Sequence, residues 1–144
     1  MVNATCSITI FNGILDRENR RTVYLPTCID GVSWYESESV QGETGGFSGT
    51  GTVRIRIPIK AKVDGNKRFV HHTIFGRMSK EEAACCWTLR NEDIVLQGRF
   101  DDIGPIYDAL VGLKQYGRPV QITSHADNTQ LGSPAVHHWR IGGV

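Results

Sequence analysis

The sequence predicts a mainly β fold, a small barrel or sandwich of about eight strands carrying one moderate and one short α-helix. Three observations carry that expectation. Thr52 to Ile59 alternates Val53, Ile55, Ile57 and Ile59 with Arg54, Arg56 and Pro58, the period-two pattern of a half-buried strand. Several other short segments alternate in the same way, separated by Asn-Gly, Asp-Gly and charged punctuation. Only two stretches carry helix signals. No repeat, linker or low-complexity run divides the 144 residues. A single β-rich domain over 1–144, with an extended glycine-rich loop at about 40–52, is therefore expected.

Taken in order, Thr5 to Phe11 sets Cys6, Ile8 and Ile10 against Thr5, Ser7 and Thr9 and predicts an opening strand. Asn12-Gly13 and the run Asp16 to Arg21 predict a turn or hairpin end, because Asn and Gly tolerate positive φ. Thr22 to Ile29 resumes as a strand, with Pro26 marking an edge or a bulge, since proline donates nothing to a ladder. Asp30-Gly31 predicts a turn, and Val32 to Glu36 a third short strand. After the Thr52–Ile59 strand, Asp64-Gly65-Asn66 predicts a tight turn into Lys67–Val70. Ser79 to Glu82 has the spacing of a capping box and opens a short helix. Trp87–Leu89 and Ile94–Gln97 flank Arg90-Asn-Glu-Asp93 as a hairpin. A second helix is predicted from about Ile103 to Gln115, capped by Asp101 or Asp102, with Pro105 in its first turn and Gly117 past its end. Val120 to Ser124 and Val136 to Ile141 complete the strands. Gly142-Gly143-Val144 is expected to fray.

Composition narrows the function. Lys and Arg number 16 and Asp and Glu 15, so the chain lacks the basic excess of a general nucleic-acid binder. Arg17, Arg20 and Arg21 beside Asp16 and Glu18 predict a solvated hairpin end. No apolar run approaches the roughly 20 residues of a membrane span. The first residues lack the basic and apolar regions of a signal peptide. A cytoplasmic site of synthesis is expected, with Cys6, Cys28, Cys85 and Cys86 as reduced thiols.

Candidate chemistry is sparse. His71-His72 and His137-His138 lie in strand-like segments, where neighbours point to opposite faces, so neither pair readily supplies two ligands to one metal. Cys85-Cys86 lacks Cys-x-x-Cys spacing, and no metal or other cofactor is expected. Glu81-Glu82 and Asp101-Asp102 sit where helices begin, which favours negative charge without any acid–base role. Ser124-His125-Ala126-Asp127 has the residue types of a triad, but triads assemble from separated segments. The stretch Gly42 to Gly51 holds five glycines in ten residues. It lacks a P-loop lysine and runs into a strand rather than a helix, so it does not fit a phosphate cradle. Trp34, Trp87 and Trp139 are expected in the core, with sugar stacking the alternative.

Several segments together resemble the small minor structural proteins of tailed phages and prophages of Gram-positive bacteria. They are Ile8–Asn12, Val23–Thr27, Gly31–Tyr35, Val53–Pro58, Trp87–Leu89 with Asp93-Ile94 and Gly98, and His138-Trp139. The resemblance implies a non-enzymatic virion component of the head–tail neck, a head-closure or stopper-like connector assembled in the host cytoplasm. It implies a homo-oligomeric ring between portal or adaptor and tail terminator proteins, packaged DNA in the lumen, and no membrane. It carries over no catalytic residue. The candidate assembly residues are Gly42, Gly45, Gly46, Phe47, Gly49 and Gly51 in an arm, with Arg54 and Arg56 on the strand that follows. A tail terminator or tail-tube subunit is the nearest alternative. A small enzyme or carbohydrate-binding module using the tryptophans or histidines is the alternative of another class.

Overall fold

A computed structural model describes residues 6–16, 20–37, 52–100, 113–129 and 137–144. Among the described residues, the strands and the two α-helices whose bounds are described follow in the order β1 (Cys6–Asp16), β2 (Arg21–Ser37), β3 (Thr52–Pro58), β4 (Lys62–Val63), β5 (Arg68–Phe69), α1 (His72–Phe75), α2 (Lys80–Ala83), β6 (Cys86–Trp87), β7 (Ile94–Gln97), β8 (Val120–Asn128) and β9 (His138–Gly143), with a 3-10 turn at Asp64–Asn66. The fold is mainly β, as the alternation predicts. The glycine-rich stretch 42–51 lies outside the described residues. So does the predicted second helix up to residue 112; Leu113, near its predicted C-terminal end, is helical and fully buried.

Seven strands form one antiparallel sheet in the order β1-β7-β8-β9-β3-β2-β4, and β1 also pairs with β2. The ladders therefore run in a closed circuit through β1, β7, β8, β9, β3 and β2. Two long strands turn the corners. β2 pairs with β1 up to Val32 and with β3 from Ser33 onward. β8 pairs with β7 at Val120 and Gln121 and with β9 from Ile122. Each corner carries a bulge. At the first, Cys6 and Ser7 face Val32 and Asp30, leaving Gly31 as the extra residue. Its φ of +83° is the left-handed conformation that glycine adopts without steric cost. Asp30-Gly31 is thus a bulge that bends one continuous strand, not the turn its composition predicts. At the second corner Thr123 is the extra residue.

The interior side of the circuit is lined by the alternating residues. Ile8, Ile10, Ile29, Val32, Val53, Ile55, Ile57, Trp87, Leu89, Val95, Val120, Ile122 and Ile141 form one buried cluster. Burial of a large aliphatic side chain contributes about 1.5–3 kcal/mol, which is why the pattern fixes the facing of β3. Phe69, Trp87 and Trp139 pack ring to ring at 4.9–5.1 Å in the same core. Ile59, expected inward, is exposed because β3 ends at Pro58 and the chain turns there. Pro26 sits where β2 is paired to β1 but not yet to β4, which reaches only Ile29 and Asp30.

Four further expectations change. Asn12-Gly13 is inside β1, with the hairpin closing only beyond Asp16. Trp87–Leu89 and Ile94–Gln97 flank a turn but share no ladder, since β6 pairs in parallel with β5. β8 continues through Asn128. The chain end is laddered rather than frayed: Gly142 and Gly143 pair with both β3 and β8, and Val144 exchanges backbone bonds of 3.0 and 3.1 Å with Gln121. Gly143 is required there, while Gly142 meets only the rotatable Ser124 hydroxyl. A Cβ on Gly143 would lie 2.6 Å from the Gln121 carbonyl oxygen, and one on Gly142 2.5 Å from Ser124 Oγ.

Candidate functional site

The predicted site residues within the described structure are Arg54 and Arg56. β3 alternates exposed and buried positions from Thr52 to Ile57, so both arginines stand on the outer side of the sheet while Val53, Ile55 and Ile57 fill the core. The register builds rows across the four outer strand segments. One row is Ser33, Arg56, Arg140 and Ala126; the next is Tyr35, Arg54, Gly142 and Ser124. Arg54, Arg56 and Arg140 are exposed, and Tyr35 is 62% exposed. None of the three arginines has a hydrogen-bond or ion-pair partner among the described residues. No described carboxylate shares this face. Glu36 has the opposite parity and accepts from Trp34 Nε1 at 3.1 Å, and Asp127 lies opposite Trp139.

A second polar cluster escaped the sequence reading. Asn12 is 1% exposed; its Nδ2 donates to the Thr88 carbonyl and to Asp93 Oδ2, both at 2.9 Å, and its Oδ1 accepts from the Thr88 amide. Asp93, 3% exposed, also accepts from the Gly13 amide and from Arg90 Nη2 at 2.9 Å. Arg90 Nη2 donates to the Gly13 carbonyl as well, and its guanidinium lies 5.9 Å from the centre of the Phe75 ring. Burial pushes the Asp93 carboxyl above its usual range, and the Arg90 and Asn12 hydrogen bonds work against that shift. Glu92, beside it, has φ +79°. Gly13, Arg90 and Asp93 of this cluster line a cleft of about 510 Å³ with Tyr24, Phe75 and Lys80. Its one sequence signal was Asn12 at an otherwise alternating strand position, which invites a turn assignment.

The histidines gather differently from their sequence pairing. His71 is the N-cap of α1, its Nδ1 accepting from the Thr73 amide at 3.2 Å. Its ring lies 4.2 Å from that of His72, which meets His125 at 5.6 Å. Burial, with the charges of His72 and His71, lowers the His125 pKa. His125 contacts Asn91 Oδ1 at 3.1 Å, whereas His138 contacts Asn128 at 3.4 Å in β9. Among the described residues, no group of three His, Cys, Asp or Glu is placed to hold a metal. Cys28 and Cys86 are buried, Cys6 is half-buried and Cys85 exposed, all as free thiols.

A family model described as "Family of unknown function (DUF6751)" matches residues 2–144. The chain belongs to that family. No curated protein and no solved structure matches it. No helix among the described residues is long and apolar enough to cross a membrane. For this member of the family, the two arrangements above differ in what they leave available. The Asn12–Arg90–Asp93 cluster satisfies its charges internally, while the outer arginine face holds charge with no internal partner.

Proposed function

We propose that this chain is a non-enzymatic structural protein of a phage particle, a head-closure or stopper-like connector subunit of the neck. The resemblance of segments from Ile8 to Trp139 supports the location. The observation that carries the reading is the antiparallel β2–β3 ladder, from Ser33 opposite Arg56 to Ser37 opposite Thr52. It forms a stiff base from which the glycine-rich connection leaves, with Arg54 and Arg56 exposed beside it. In this reading the closed circuit of ladders is a small barrel that keeps subunit shape within a ring. The glycine-rich stretch with Phe47 would then supply contacts to neighbouring subunits on assembly. Head-to-tail contacts close into a ring when the rotation per subunit fits.

Deleting 42–51 tests this. The isolated subunit should keep its urea midpoint, while a phage complemented with the deletion should accumulate full heads and free tails separately, or heads that lose DNA. Infectious particles at normal yield would remove the arm role, and normal particles from a complete knockout would remove the structural-protein reading. Locating the subunit by cryo-electron reconstruction distinguishes the neck from a tail terminator or tail-tube position.

A further inference from the structure

The outer arginine face has a chemistry of its own, and we propose that it is a docking surface for single-stranded nucleic acid. The near-neutral charge of the whole chain conceals local segregation. Three guanidinium groups share one face with no described carboxylate, and the ion pairs among the described residues lie elsewhere: Asp30 and Asp64 hold Arg99, and Asp93 holds Arg90. Arg56 and Arg140 stand directly opposite each other on neighbouring strands. Like charges so placed repel, and a phosphate between them reverses the sign of the interaction. Arg54 and Arg56 are two residues apart on one strand face, about 7 Å, a spacing suited to successive phosphates of an extended strand.

Tyr35, beside Arg54, offers an exposed ring for base stacking, which tolerates any sequence. Around these groups the rows hold only Ser33, Gly142, Ser124 and Ala126, so the surface is shallow enough for bases to lie flat. The same small residues argue against an acidic protein as the occupant. A protein interface is built around a buried apolar centre, and here Tyr35 is the only large ring among these rows. The inference does not depend on the neck reading and is tested on the isolated full chain.

Fluorescence anisotropy with a labelled short oligothymidylate should show binding whose log–log salt slope between about 50 and 200 mM is about −2, three phosphate contacts at roughly 0.7 each. Arg54→Ala, Arg56→Ala and Arg140→Ala should each reduce that slope by about 0.7. Tyr35→Ala should weaken binding about fivefold or more at unchanged slope, with Tyr35→Phe restoring it. Arg77→Ala, an exposed arginine at the end of α1, should change nothing. Far-UV circular dichroism confirms that each variant is folded. Absence of binding at low salt, an equal loss in Arg77→Ala, or a duplex of the same length bound as tightly with Tyr35→Ala silent would each overturn the proposal. Binding of polyglutamate without binding of oligothymidylate would replace it with an acidic protein partner.

Discussion

Arg90 and Arg56 are the same residue in opposite situations. Arg90 lies over Phe75 with Nη2 on a buried carboxylate and a backbone carbonyl, joining β1 to the turn before β7. Arg56 stands in the open with another arginine opposite it. The first belongs to a network in which every charge has its counterpart inside the chain. The second has its counterpart nowhere among the described residues. Counting charges in the sequence treats the two alike; only the register and the burial separate a charge that holds the fold from one the fold leaves for something else.

The contrast can be pressed from its strongest consequence to its weakest. Within β3 itself, Ile55→Ala should cost about 2–5 kcal/mol in urea unfolding, because Ile55 is fully buried, while Arg54→Ala stays within about 0.5 kcal/mol. Equal losses would mean that β3 faces the other way. Arg90→Ala should cost about 3 kcal/mol by the same measurement, toward the lower end for breaking a buried pair because Arg90 is one-third exposed. A loss no larger than that of Arg56→Ala would erase the distinction between the two arginines.

A smaller effect concerns pH. The Ser7 and Arg99 hydrogen bonds hold the Asp30 carboxyl below its ordinary 3.8. Its folded pKa is depressed, so its contribution is present above the unfolded value and disappears as pH falls through the folded one. Asp30→Asn should therefore flatten the acid limb of the stability profile below pH 3.8 and leave its shape near neutrality unchanged. Smallest of all, Arg56→Ala should be neutral or stabilising by a few tenths of a kcal/mol, since it removes the repulsion from Arg140, and added salt should shrink the difference. A clear destabilisation would reveal a partner for Arg56 within the chain.

Much of this architecture was legible beforehand, and the exceptions have physical reasons. β3 declared itself because alternation and burial coincide over its length, and the Ser79–Glu82 capping box formed with bonds of 3.0 and 3.2 Å. Arg54 and Arg56 were found by the same alternation. Arg140 was not singled out, because its relation to Arg56 is a matter of register between strands far apart in sequence. Asn12 and Gly31 were misjudged for one reason: residues that favour turns also serve inside strands, as a buried hydrogen-bond hub and as a bulge. His71 capping α1 was hidden because histidine is not among the usual capping residues. The C-terminal glycines suggested fraying, where at Gly143 the close approach of the β8 backbone excludes a side chain.

The closed circuit of ladders also bears on how the chain folds. β1 and β2 can zip together early, since they adjoin in sequence. β1 then waits for β7, with Ser7 finally accepting from the amide of Gly98, and β3 waits for β9. Contacts at such separations must overcome loop-closure entropy before they stabilise anything, which places folding in the slow range of milliseconds to seconds. Until those late strands arrive, the first hairpin holds unpaired backbone along both flanks. Crowding of nascent chains is thus a hazard for this protein during that interval, and once the circuit shuts those flanks are covered at Ile8–Phe11, at Ile29 and Asp30, and at Ser33–Ser37.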